Sequence, residues 1–239
     1  SNRMLAANWE QYTSASQGNL RLQFLSTTLR ERSSILPKDP KDFRVALNNS
    51  PFPGVAFQKD LLIVAWVSPE AALRIHAFDP QGPRPMTATQ VKNPGSSPQN
   101  PIVAGFTNHF VVVWIDNNSN PPRQMWAQAF TPQGQPKAQR FLLSPQGAQT
   151  PILETTSFGA VVAWVQTRAE QRGLSIARID KNGKLLAQPS WRTLSNLQPY
   201  LAMAWTSIGE GSGRGAIGWI QRNQDLNIDQ IFVAPLGCD

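Results

Sequence analysis

The chain has 239 residues, with 22 basic and 15 acidic side chains for a net charge of +7, two histidines and a single cysteine. One cysteine (Cys238) excludes an intrachain disulfide, so few soft ligands argue against a zinc site, and no apolar run approaches the roughly 18 residues of a transmembrane helix. The basic balance suits an anionic partner, but the cations are scattered and no RNA-recognition signature accompanies them, so a solvated surface is favoured over nucleic-acid binding.

In chain order, the first strand-like runs surround Trp9, then span Leu20 to Phe24 and Phe43 to Leu47. From Pro53 a pattern begins that returns three more times. Pro53-Gly54-Val55-Ala56 leads to Val64-Ala65-Trp66 and then to Ile75-His76-Ala77-Phe78-Asp79-Pro80-Gln81-Gly82. Pro101-Ile102-Val103-Ala104 leads to Val112-Val113-Trp114 and to Ala129-Phe130-Thr131-Pro132-Gln133-Gly134. Pro151-Ile152-Leu153-Glu154 leads to Val162-Ala163-Trp164 and to Ile179-Asp180-Lys181-Asn182-Gly183. Pro199-Tyr200-Leu201-Ala202 leads to Ile217-Gly218-Trp219 and to Ile231-Phe232-Val233-Ala234. The prolines step by 48, 50 and 48 residues, the signature of a repeat architecture.

Each unit holds four short runs rich in Val, Ile, Phe and Trp, bounded by Pro, Gly, Asn and Asp, and none carries sustained helical spacing. Four antiparallel strands per unit describe a propeller blade. The spacing from Phe43 to Pro53 equals that from Phe141 to Pro151, so Phe43 to Leu47 reads as an outermost strand. The chain is thus expected to be all-β, one β-propeller domain over 1–239 with five blades of four-stranded antiparallel sheets. Approximate blade limits are 1–50 (partial), 51–98, 99–148, 149–196 and 197–239 (partial). Trp9, Trp66, Trp114, Trp164 and Trp219 are expected between blades. Residues 1–8 or the last few residues are expected to bridge the terminal blades, since bare strand edges are normally covered.

The search for chemistry yields few candidates. Asp116, Asn117 and Asn118 open an oxygen-rich turn that lacks the glycine and closing glutamate of a calcium loop. His76 and His109 have no nucleophile motif beside them. Glu154 stands where sister blades place Ala56, Ala104 and Ala202, and a buried carboxylate needs a partner, water or a ligand. A glycosidase needs two such acids. The run Gly209 to Gly215 fails the phosphate-loop context and reads as a hairpin insertion. Trp126, Trp191 and Trp205 do not recur between repeats, so a binding surface or a local gap in the blade must account for each. Candidate ligand-binding residues are therefore Glu154, Asp116, Asn117, Asn118, Trp126, Trp191 and Trp205, with no catalytic residue, metal ligand or cofactor assigned.

The Pro-x-Val-Ala, Val-Val-x-Trp and Ala-x-x-Phe-x-Pro-x-Gly pattern resembles the tandem β-propeller repeats of bacterial secreted and cell-surface proteins. That resemblance implies a noncatalytic recognition or adhesion module. Its partner would be a protein or a glycan, with the basic balance favouring an anionic one, held on a loop face or at the channel mouth. The alternatives are a glycoside hydrolase-like propeller and a structural segment of a longer surface protein. Loops rich in Gln, Asn, Ser, Thr and Pro lead us to expect an exported protein. No signal sequence is visible, and Ser1-Asn2 resembles a tag remnant.

Overall fold

The computed structural model describes residues 3–14, 17–26, 31–35, 44–46, 53–58, 61–78, 89–91, 94–209 and 212–238. The first sheet is built from β1 (Arg3–Ser14), β2 (Gln17–Ser26), β3 (Glu31–Ile35) and β4 (Arg44–Ala46). Both β3 and β4 lie along the outer edge of β2, at Leu22–Leu25 and Gln17–Asn19. The second sheet runs β5 (Gly54–Gln58), β6 (Leu61–Val67), β7 (Leu73–Phe78) and β8 (Thr89–Gln90). The third runs β9 (Pro98–Gly105), β10 (Phe110–Asp116), β11 (Gln124–Phe130) and β12 (Phe141–Ser144). The fourth runs β13 (Ala148–Thr156), β14 (Gly159–Arg168), β15 (Gln171–Asp180) and β16 (Ser190–Thr193). The fifth has β17 (Leu197–Gly209), β18 (Ser212–Asn223) and β19 (Ile228–Cys238).

Every pairing is antiparallel, and all but that of β4 with β2 join neighbours in sequence. The strands β5, β9, β13 and β17 touch one another in succession and form the inner layer. This is a β-propeller of five antiparallel sheets, as the repeats require.

Apolar runs set the packing. Every residue of β10 is buried, as expected for a strand covered on both faces. Trp66, Trp114 and Trp164 are fully buried, each in the second strand of its sheet. Trp114 packs into a core shared with Ile63, Ala65 and Ile75 of the second sheet, and Trp164 into one shared with Val113, Met125 and Ala127 of the third. Trp114 and Trp164 therefore each plug the wedge toward the preceding blade. Trp219, in the fifth sheet, is only partly buried, against Leu174 and Ile176. The Trp9 side chain lies outside the described residues.

The repeat prolines have a more particular job than bounding strands. The ladder between β9 and β10 shifts register opposite Pro101, and that between β13 and β14 shifts opposite Pro151. The residues just before them, Asn100 and Thr150, have φ of 47° and 42°. Proline cannot donate to a ladder, so it sits where a bulge removes the need. The third-to-fourth-strand turns form as expected: Gly134 N donates to Thr131 O at 2.8 Å and Gly183 N to Asp180 O at 2.9 Å, with both glycines left-handed (φ 78° and 81°). The matching Asp79–Gly82 turn lies outside the described residues.

The glycine-rich stretch closes a hairpin, as expected: β17 and β18 continue their pairing to Ser207–Gly213 and Gly209–Ser212. One expectation changes. Bridging of the terminal blades is not made among the described residues. Arg3–Asn8 pair with β2 across a short hairpin, which costs far less loop-closure entropy than joining the other end of the chain. Among the described residues β19 pairs only with β18, so the fifth sheet is three-stranded there.

Candidate functional site

In the third and fourth sheets the loops after the second strand and after the fourth strand emerge on the same face. On that face the third, fourth and fifth sheets enclose a groove of about 950 Å³, the size range of small-molecule and oligomer sites. Its walls come from Pro122 and Arg123 in the β10–β11 loop, Gln146, Gly147 and Gln149 entering β13, and Glu170, Gln171 and Arg172 at the β14–β15 turn. Thr193 to Gln198 lead into β17, and Arg222 and Gln224 close the far side. Side-chain amides dominate the lining, with hydroxyls from Thr167, Thr193 and Ser195 between them.

The walls are held in place from behind. Gln221 Nε2 donates to Ser195 O at 2.7 Å, and Gln224 Nε2 to Asn196 Oδ1 at 3.1 Å. Arg172 Nη1 donates to Leu197 O at 3.1 Å. Arg222 pairs with Asp229 at 3.1 Å and donates to Asn227 Oδ1 at 2.6 Å. Beneath the groove, buried Gln166 donates to Ser144 Oγ at 2.8 Å and to Gln146 O at 3.1 Å, while its Oε1 accepts from Ser175 Oγ at 2.7 Å. That network ties the third sheet to the fourth and fixes the Gln146 backbone. Two of the three arginines are thus already hydrogen-bonded, and the groove offers donors and acceptors together with a small positive excess, Arg123, Arg172 and Arg222 standing against Glu170 and Asp229.

None of the seven residues singled out in the sequence lines this groove. Asp116 is buried and clasps two loops: its Oδ1 accepts from Ser97 N at 3.0 Å, and it packs against Gly95, whose φ is 112°. Asn117 N donates to Ser97 O at 3.0 Å in the same turn, and Asn118 beside it is exposed. Trp126 carries the Arg140 guanidinium at 4.3 Å and Trp191 that of Arg168 at 4.9 Å. A side chain at Gly173 would strike Trp191, and one at Gly213 or Gly215 would strike Trp205, which also meets Phe158 edge-on at 5.6 Å. Both indoles roof over glycines, a local use of size that the sequence could not distinguish from a binding surface. Glu154 lies on β13 and is half-buried, and burial pushes its carboxyl above the usual range. The groove residues were legible in the sequence only as amide-rich loops. No helix among the described residues is long and apolar enough to cross a membrane, and no cluster of three metal-binding side chains occurs among them.

No protein-family model matches the chain, and no curated protein matches it. Among solved structures the chain is similar to an α-L-arabinofuranosidase from Lactobacillus brevis, with 10% identity, a TM-score of 0.48, and 96% of this chain and 89% of that one covered. It is also similar to a thermostable family-43 glycoside hydrolase (8% identity, TM-score 0.44, 99% and 91% covered). A GH32 β-fructofuranosidase from Bombyx mori follows at 11% identity and TM-score 0.43, with 98% of this chain and 60% of that chain covered. At such identities no activity is transferred from them.

Proposed function

We propose that the protein is a noncatalytic recognition propeller of an exported protein and that it binds a glycan in the groove between its third, fourth and fifth sheets. The observation that carries this reading is the concentration of Gln146, Gln149, Gln171, Gln198, Gln224 and Asn196 around one cavity. Amides donate and accept at once, as sugar hydroxyls do, and Gln198 and Gln224 are already held by hydrogen bonds to Asn196, which lowers the cost of ordering them. The net charge of +7 favours glycans that carry acidic groups among neutral ones, with affinity that falls as salt rises.

A glycan array probed at low and moderate salt tests the reading. Binding should appear and should weaken at least tenfold in a Gln149→Ala/Gln171→Ala double variant. Silence on every neutral and acidic sugar at high protein concentration would overturn it. Hydrolysis of an aryl glycoside that disappears in Glu154→Gln would instead establish the glycoside hydrolase alternative.

A protein partner is the second reading, favoured by β19. Its outer edge is unpaired among the described residues, and Ile231 and Val233 are 78% and 67% exposed. Such an edge can accept a strand from another chain.

A further inference from the structure

The fifth sheet turns one face toward the fourth and the other to solvent. Leu201, Ile217, Trp219 and Ala234 form the inward rows and pack with Leu174 of β15. Between them, Ala202, Gly218 and Val233 lie side by side on the outer face, with the Ile220 and Ile231 pair two residues further along. Tyr200, next to inward Leu201, is 63% exposed on the same outer face. In the sister sheets the matching positions are covered. Val233 pairs with Gly218 as Ile75 does with Ala65, Ala127 with Val113 and Ile176 with Ala163. Ile231 stands two residues earlier, as Leu73, Met125 and Leu174 do, and those three are buried in cores that hold the next sheet's tryptophan. Ile231 and Val233 thus occupy positions built to be covered, yet they are 78% and 67% exposed. Among the described residues no strand of the first sheet packs along this face. An apolar face of this kind marks an interaction surface.

Gly218 indicates what seats there. A Cβ at Gly54, Gly105, Gly173, Gly213 or Gly215 would come within 2.5 Å of another atom of the chain, so packing inside the molecule demands those glycines. A Cβ at Gly218 would meet nothing closer than the Phe232 carbonyl oxygen at 3.6 Å, an ordinary contact. Ala65, Val113 and Ala163 carry side chains at this position in the sister sheets. The missing side chain leaves a hollow between Ala202 and Val233, flanked by Ile220 and Ile231, that a flat ring would fill. Tyr200 holds such a ring on the neighbouring strand of the same face. A two-fold axis lying in the interface midway between Tyr200 and Gly218 sets the tyrosine of each copy over the glycine of the other, as an isologous contact requires. Charge permits this. The outer face carries Arg214 at one end and Arg222 at the other, and Arg222 is paired with Asp229 at 3.1 Å. Apolar surface between them is what interfaces between identical chains favour.

We infer that the outer face of the fifth sheet is the contact surface of a two-fold dimer of this chain, with Tyr200 of each copy seated in the Gly218 hollow of the other beside Ile231 and Val233. The contact uses the face of the sheet, in place of the strand edge of β19, and does not depend on the groove. Sedimentation velocity of the whole chain from low to high micromolar concentration tests it. A monomer–dimer equilibrium should appear and should strengthen as salt rises, because screening relieves repulsion between two chains of charge +7. Tyr200→Ala should weaken dimerisation at least tenfold by removing the ring, and Gly218→Val should do so by filling the hollow. When dilute, Gly218→Val should melt no lower than the unaltered chain, since valine suits a strand interior better than glycine. A chain that stays monomeric throughout would overturn the inference. So would a dimer that either variant leaves unchanged, which would belong to the β19 edge, or one that salt dissociates. Growth beyond dimers would overturn it as well, and so would a dilute Gly218→Val that melts several degrees lower, which would place the covering surface within the same chain.

Discussion

At the scale of single residues, large buried rings and buried titratable groups carry the most consequence. Trp114 is fully buried between the second and third sheets, and its indole N–H donates to Pro94 O at 2.6 Å. Trp114→Ala should cost about 3–5 kcal/mol in a denaturant titration, the range for large aromatic truncations in a core. His76, only 4% exposed on β7, is lowered by burial to a pKa of about 4. A histidine depressed in the folded state binds its proton more readily when unfolded. Its stabilisation is therefore complete above the ordinary histidine pKa and is lost as pH falls from about 6.5 toward 4, by about 3 kcal/mol at most. Melting temperatures measured across that range should fall steeply for the unaltered chain and less steeply for His76→Gln. A residual slope is expected there, because burial depresses His109 in the same direction.

At the scale of elements, the strands that depart from the repeat explain themselves by contacts the repeat does not contain. The long hairpin of β17 and β18 has no side chain at Gly213 or Gly215, and Trp205 from the facing strand covers both. Trp205→Ala should lower stability by about 1–2 kcal/mol, the scale of a partly buried aromatic contact, and leave glycan binding in the groove unchanged. Thermal unfolding and the array together check this, and lost binding at full stability would return Trp205 to the list of ligand contacts. β19 presents Ile231 and Val233 on an edge without a partner among the described residues. A lysine on such an edge discourages pairing between chains. Val233→Lys should therefore reduce concentration-dependent association in light scattering without lowering the melting temperature.

At the scale of the whole molecule, stability is unevenly spread. The two largest described cores lie between the second and third sheets and between the third and fourth, while the fifth sheet contributes chiefly Ile217 and partly buried neighbours. Opening should follow that gradient. Amide hydrogen exchange is expected to be slowest in β10 and in Gly159–Gln166 of β14, where every residue is buried, and fastest along β19. Equal protection in β19 and β10 would mean that a further surface covers that edge.

The sequence by itself determined the architecture. The steps between Pro53, Pro101, Pro151 and Pro199, the tryptophan in the second strand of the last four sheets and the Pro-x-Gly turns are local signals. Each acts through backbone sterics or side-chain volume within one blade, so each can be read without knowing its neighbours. The candidate sites obeyed no such rule. Trp191 and Trp205 stood out because they break the repeat, yet only the packing reveals that they cover glycines on adjacent strands. Asp116 stood out by its oxygen-rich turn, and only the fold brings Ser97 and Gly95, about twenty residues earlier, beside it. Gln58 and Thr156 gave no signal, and His109 showed only that no nucleophile motif stands beside it; the three lie in different blades and come near one another only where three inner strands end together. Which polar atoms are left buried without a partner is a property of the assembled propeller, because it depends on what every other blade brings, or fails to bring, to the same point.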